Sequence, residues 1–172
     1  MDIVGNWSLE VSLLVRVAAA MVLGGIIGFE REFRSQSAGL RTHMLIAGAA
    51  ALIVGLGHLL ALDFTDERFR ELVRVDPVRL IEAVVAAVGF VGAGMIIRRR
   101  EGAEVQGLTT AASLLMAAGI GISAGLAHFV LAAGTSLLCL IVLWLLGLWE
   151  KRVLRSKPAD RSRDAARASR PE

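Results

Sequence analysis

Five apolar blocks, each near the roughly twenty residues that cross about 30 Å of hydrocarbon, constrain this chain more than any single residue does. They run over Val11–Phe29, Thr42–Leu62, Val78–Ile97, Leu108–Leu126 and His128–Trp149, with polar joints between them. A soluble domain would disperse its apolar residues as amphipathic periods. Here 55% of 172 residues are apolar, the mean hydropathy is +0.63, and the excess is gathered into blocks. Inside lipid the backbone must satisfy its own hydrogen bonds, so the blocks are expected to be helices. The alternation of a β-barrel is absent. The predicted fold class is therefore all-α: a polytopic transmembrane helical bundle of about five spans. Residues 1–10 form an outer stub, 11–150 the transmembrane domain and 151–172 a basic tail. The stub has no basic segment of a cleavable leader, so the first span is expected to direct insertion.

Basic residues set the expected orientation. Arg31, Arg34 and Arg41 flank the first joint, Arg98, Arg99 and Arg100 the third, and Lys151, Arg152, Arg155 and others fill the tail. The second joint, "DFTDERFRELVRVDP", mixes both signs. The N-terminus is then outside and the C-terminus cytoplasmic, with Trp7 anchoring the outer surface and Trp144 and Trp149 the inner one. The second joint reads as a solvated connector, with a short amphipathic surface helix as the alternative. The tail has nothing to bury and is expected to be disordered, drawn to anionic lipid and not to nucleic acid. Cys139 is the only cysteine and reads as a small packing residue.

The joint "GFEREFRSQSAGLRTHML" has a counterpart. A shift of 68 positions lays Gly24 on Gly92, Arg31 on Arg99, Gly39 on Gly107, Leu40 on Leu108 and Thr42 on Thr110. "GLRT" and "GLTT" open the second and fourth spans alike. The expectation is two helical hairpins of common design, running out-in-out in parallel, plus a fifth helix. Two helix N-termini would then start side by side at the inner face, each presenting free N–H groups and a positive dipole end. A clasp is predicted there: Glu30, Arg31 and Glu32 pairing with Arg41, His43 and the helix starts, with Thr42 and Thr109 or Thr110 as caps.

"GFVGAG" does not fit a nucleotide loop, since its spacing is wrong and no strand precedes it. Small residues serve close helix packing in lipid, and Gly24, Gly28, Gly89, Gly92, Gly94, Gly121 and Gly125 are read that way. Four ionisable groups fall on the outer side: Arg16, Asp76, Arg79 and Glu82. Arg16 is expected either to pair with Glu82 or to snorkel outward. His58 and His128 lie toward the outer ends and His43 at the opposite face, so no histidine cluster for a metal is expected. No catalytic triad, Cys-His pair or Walker loop is visible. No enzyme, cofactor or metal is expected.

Taken in order, "GGIIGFERE", "AGLRTHML", "DPVRLIEAVVAAVGFVGAG" and "VQGLTTAASLLMAAGIGISAG" resemble the MgtC/SapB family of bacterial membrane proteins, over residues 11 to 150. The resemblance implies an inner-membrane helical protein of about five spans, linked to adaptation to low magnesium and, in some pathogens, to survival in macrophages. For MgtC-like members it implies regulation of the F-type ATP synthase and membrane potential, and not magnesium transport. Those members carry a C-terminal ACT-like domain, and many have a glutamine where Ala83 stands here. The shorter SapB-like branch is therefore the closer match. The expected function is a non-enzymatic membrane regulator acting on another membrane protein in a bilayer, with exposed GxxxG faces that invite a homodimer. The alternative is a transporter or channel for an ion or small solute.

Overall fold

The computed structural model describes residues 7–63, 76–98 and 105–155. The described residues form five helices, one small ribbon and short connections; the helices are α1 Trp7–Phe33, α2 Leu40–Asp63, α3 Pro77–Met95, α4 Leu108–Gly125 and α5 Phe129–Arg155. The fold is an all-α bundle. Helices α1 to α4 are each long and apolar enough to cross a membrane, and α5 contributes a shorter apolar stretch, Phe129–Leu145. At 1.5 Å per residue the 27 residues of α1 reach about 40 Å, more than the hydrocarbon alone requires. Most of the second joint (64–75), Arg99, Arg100 and the tail from Ser156 lie outside the described residues.

The third apolar block was expected to run as helix to Ile97. The helix instead stops at Met95, and Ile97–Arg98 (β1) pairs antiparallel with Val105–Gln106 (β2). Gly107 then turns the chain into α4 with φ at +93°, where a side chain would strike the Met95 carbonyl. At the other end of α3, Asp76 Oδ1 accepts from Val78 N at 2.9 Å and Pro77 fills the first helical position. Both devices suit a helix start.

Small residues decide how the helices meet. A Cβ on Gly24 would lie 2.6 Å from Ala47 Cβ, and one on Gly28 would lie 2.8 Å from Leu40 Cα. Leu13 packs on Gly55 further along, so α1 and α2 run antiparallel. Gly121 sits against Ala47, and a Cβ on Gly125 would be 2.7 Å from the Ala51 carbonyl, so α2 and α4 run parallel. Helix α2 is thus gripped between α1 and α4 with backbones nearly touching. Close van der Waals contact of this kind is what holds helices together where lipid offers no hydrophobic drive.

Helix α3 closes the second hairpin with less contact. Its buried residues Val84, Val88 and Gly92, extended by partly buried Ile81 and Met95, form one helical stripe. They pack with Leu114, Ala118 and Ile122 of α4 and Ala50 and Val54 of α2. Gly92 packs on Ala111, but Gly89 and Gly94 have nothing within 4 Å of a built Cβ. The packing role expected for Gly89 and Gly94 is therefore not found within the protomer, because both point off the buried stripe.

Arg16 also differs from expectation. Its Nη1 donates to the carbonyl of Gly125 at 3.2 Å, while Glu82 is exposed on α3. The last carbonyls of a helix lack intrahelical donors and carry the negative dipole end, so a guanidinium is a suitable cap. Replacing Arg16 with alanine should cost roughly 1.5–3 kcal/mol, the worth of a charged hydrogen bond. Unfolding in detergent will read this, and a wild-type midpoint for Arg16→Ala would refute the cap. Helix α5 joins α1 through Ser136 Oγ, which donates to Leu23 O at 2.9 Å. From Ile141 onward the chain forms a separate compact unit, helical as far as Arg155.

Candidate functional site

The polar joint is only partly a loop. Helix α1 continues through Glu30, Arg31, Glu32 and Phe33 before it stops. Gln36 N bonds back to Arg31 O at 3.0 Å and Ser35 N to Glu32 O at 2.9 Å, with Ser35 at φ 55°. That is a Schellman stop with serine in the left-handed position. Three residues on the chain has turned, and α2 begins at Leu40.

Continuing the helix places each charge differently. Glu32 is exposed, and its Oε2 accepts from Leu40 N at 2.8 Å, so it caps α2 from outside the helix. Gly39 makes room, since a side chain there would meet that oxygen at 2.8 Å. Thr42 lies inside the first turn of α2, past the capping position. Thr109 and Thr110 likewise fall inside α4, whose cap residue Gly107 makes no side-chain bond. The threonine caps expected at both starts are thus replaced by Glu32 at one and by none at the other.

Glu30 and Arg31 lie on the inward side and are 9% and 5% exposed. Arg31 Nη1 is 3.7 Å from Glu30 Oε2, and Arg34 one turn on also pairs with Glu30. Arg34 Nε contacts Glu30 Oε1, while Glu30 Oε2 and Arg31 Nε are buried with no hydrogen-bond partner. One carboxylate thus faces two guanidinium groups, and part of the hydrogen-bonding capacity is left unused.

His43, fully buried, ties the two helix starts together. Its Nδ1 lies 2.9 Å from Gly39 O and its Nε2 lies 3.0 Å from Ser113 Oγ, 70 residues away on α4. A neutral ring donates through Nδ1 and leaves Nε2 to accept the Ser113 hydroxyl. Ser113 Oγ is also 2.8 Å from Thr110 O, so its single proton serves one of the two. This serine and histidine have no room for a substrate between them, and the pair acts as an interlock.

The structure therefore brings Glu30, Arg31, Glu32 and His43 to one end of the bundle, with Thr110 buried beside them. Arg41 is exposed and Thr109 is exposed, both away from this cluster. Asp76 and Arg79 form a loose exposed pair at 3.9 Å. Sequence reasoning missed Ser113 and Arg34 as partners. The available signal was that polar groups in adjoining spans must find one another, which points from His43 to a hydroxyl on the fourth span. Among the described residues no group of three or more His, Cys, Asp or Glu side chains could hold a metal ion.

A family model described as the MgtC family matches residues 17–152. Protein MgtC of Salmonella typhimurium strain LT2 is 39% identical over 132 residues, 76% of this chain and 51% of that relative. Protein MgtC of Brucella abortus strain 2308 is 41% identical over 109 residues, 63% of this chain and 40% of the relative. The chain thus spans about half the length, or less, of these curated relatives. No solved structure matches it.

Proposed function

The chain belongs to the MgtC family, and on that premise we propose that it is a non-enzymatic multi-pass protein of the bacterial inner membrane that regulates another membrane protein by helix–helix contact. One observation carries this reading: the uncovered face of α3. Ala83, Ala86, Ala87, Phe90, Ala93 and Gly94 are all exposed there, and Phe90 is 83% exposed. A stripe of small residues beside one large ring allows a neighbouring backbone to approach closely and seat a side chain. The rest of the bundle is closed by backbone-to-backbone contact at Gly24, Gly28, Gly121 and Gly125. That closure favours contact over conduction, which is the competing reading. The resemblance to the family suggests a target in membrane energetics, such as the F-type ATP synthase under magnesium limitation. The arginine-rich joints support an N-terminus outside and a C-terminus in the cytoplasm.

Affinity capture from native membranes tests the proposal. The wild-type chain should recover a specific membrane protein, and Gly94→Leu should lose it while keeping its stability, because nothing lies within 4 Å of that position. Recovery of no membrane protein across several growth conditions, magnesium starvation included, would refute it. Recovery of only a second copy of the chain would turn the face into a homodimer interface. Solute flux by the purified protein in liposomes would favour transport instead.

A further inference from the structure

The repeat at 68 positions recurs in the contacts. A Cβ on Gly24 would lie 2.9 Å from His43 O, and one on Gly92 would lie 3.8 Å from Ala111 O. Both members of the second pair stand 68 positions after those of the first. His43 N bonds to Gly39 O, and Ala111 N bonds to Gly107 O, at the same shift. The inward stripe follows suit: Ala20, Gly24 and Ile27 of α1 fall on Val88, Gly92 and Met95 of α3. With α2 and α4 parallel, the first hairpin is carried onto the second about an axis along the bundle.

The repeat breaks at one point: α1 carries a further helix and α3 does not. Ser136 Oγ of α5 donates to Leu23 O at 2.9 Å, and Leu140, one turn on, lies beside Val22, Ile26 and Phe29. Helix α5 therefore runs parallel to α1, and Ala132, Ser136 and Cys139 along it are buried. Leu23 is half-buried there. Its counterpart on α3 is Val91, flanked by Phe90 and Gly94 as Leu23 is flanked by Val22 and Ile26. Phe90, Val91 and Gly94 are exposed, and among the described residues no helix covers them.

We infer that α3 takes one transmembrane helix of the regulated protein in the position that α5 takes on α1. The inference rests on the partner contact proposed above and adds its form. The incoming helix runs parallel to α3, with its N-terminal end on the side of Pro77. It presents a serine or threonine level with Val91, whose carbonyl has a second lone pair for that hydroxyl, as Leu23 O has for Ser136. A second copy of the chain does not reproduce this arrangement. A two-fold axis along the membrane normal would set α3 against α3, and "PVRLIEAVVAAVGFVGAGM" contains neither serine nor threonine. Ser136 of a second copy is already engaged with its own α1. The occupant is therefore another protein.

Photocrosslinking of the full chain in native membranes provides the test, with p-benzoylphenylalanine as the probe in place of Ala83 or Phe90. Both positions are exposed on α3, and Val130, exposed on α5, is the control. The two α3 probes should mark points about seven residues apart on a single transmembrane helix of the partner. The point marked from position 83 should lie nearer the N-terminal end of that helix, and the control should mark no such helix. Alanine in place of the partner serine or threonine nearest the position 90 adduct should weaken capture about threefold, the worth of one hydrogen bond between membrane helices. Reversed order of the two points, adducts on two different helices, adducts with a second copy alone, or undiminished capture of the alanine variant would each overturn the inference. Capture of a partner that forms adducts only at position 130, or at none of the three, would also overturn it and leave the regulatory reading standing. Capture of no membrane protein would refute both.

Discussion

Replacing Gly28 with leucine should leave almost no folded protein. A Cβ at this position would lie 2.8 Å from Leu40 Cα and 2.9 Å from both Gly39 O and His43 Cβ. Two of those atoms are backbone, so no side chain can rotate away. The first turn of α2 would have to move, and three contacts depend on its place. They are the Glu32 cap on Leu40 N, the His43 bond to Gly39 O, and the His43 link to Ser113. Overpacking in a dense core ordinarily costs about 1–3 kcal/mol, and alanine at Gly28 should fall in that range. Leucine adds three more carbons to a space that cannot hold the first. Gly119 is the control, since nothing lies within 4 Å of its Cβ position. Gly119→Ala should be neutral or stabilising by up to about 1 kcal/mol, the helix preference of alanine over glycine. Monodisperse yield in detergent and unfolding midpoint are the measurements. Wild-type behaviour of Gly28→Leu would mean that α1 and α2 do not meet as described.

Much of this architecture could be read from one dimension, for reasons that differ by element. The apolar blocks are legible because lipid imposes length and polarity on every span alike. The common direction of α2 and α4 followed from the matching "GLRT" and "GLTT" starts, and the contacts of Ala47 with Gly121 and Ala51 with Gly125 show that parallel course. Helix ends were harder. Two of them stop on non-glycine residues in the left-handed region, Ser35 at φ 55° and Ala127 at φ 63°. The usual glycine punctuation is missing there, and Glu30 to Glu32 looked like loop when they are the last turn of α1. The partners of buried groups were least legible. Glu30 could have turned toward Arg41 or Arg34, and only the helical continuation of α1, which puts Arg34 one turn away, decides between them. Arg16 had a plausible carboxylate in Glu82, yet the carbonyl it meets belongs to Gly125, an acceptor that no side-chain pattern advertises. Glycines show the same limit: composition marks them as packing residues, but Gly92 faces Ala111 while Gly89 and Gly94 face nothing.

Truncating Glu30 to alanine should be as damaging as any loss of charge in the chain, at about 3–5 kcal/mol, the cost of breaking a buried pair from one side. The carboxylate sits 3.7 Å from Arg31 Nη1, and the two side chains are 10% and 6% exposed. Without it Arg31 keeps a full charge in a site that bars water, and its Nε already lacks a partner. Arg34 is better exposed and can turn to solvent, so Arg31 suffers most of the loss. The double replacement Glu30→Leu with Arg31→Met removes both charges and preserves bulk. It should recover much of the stability, because a buried ion pair is worth little more than well-packed hydrocarbon. The sum of the two single costs should then exceed the double by roughly 0.5–3 kcal/mol, the coupling typical of groups in contact. Arg41→Ala is the matched control: its side chain is exposed, and the change should stay within about 0.5 kcal/mol. Unfolding of wild type, Glu30→Leu, Arg31→Met and the double in one detergent gives the cycle, with Glu30→Ala and Arg41→Ala measured beside it. Strictly additive costs would mean that Glu30 and Arg31 do not feel each other, and a near-neutral Glu30→Ala would mean that the cluster is hydrated. A pair that is coupled, yet dispensable for stability once both charges are gone, would show that packing and not charge holds this end of the bundle together.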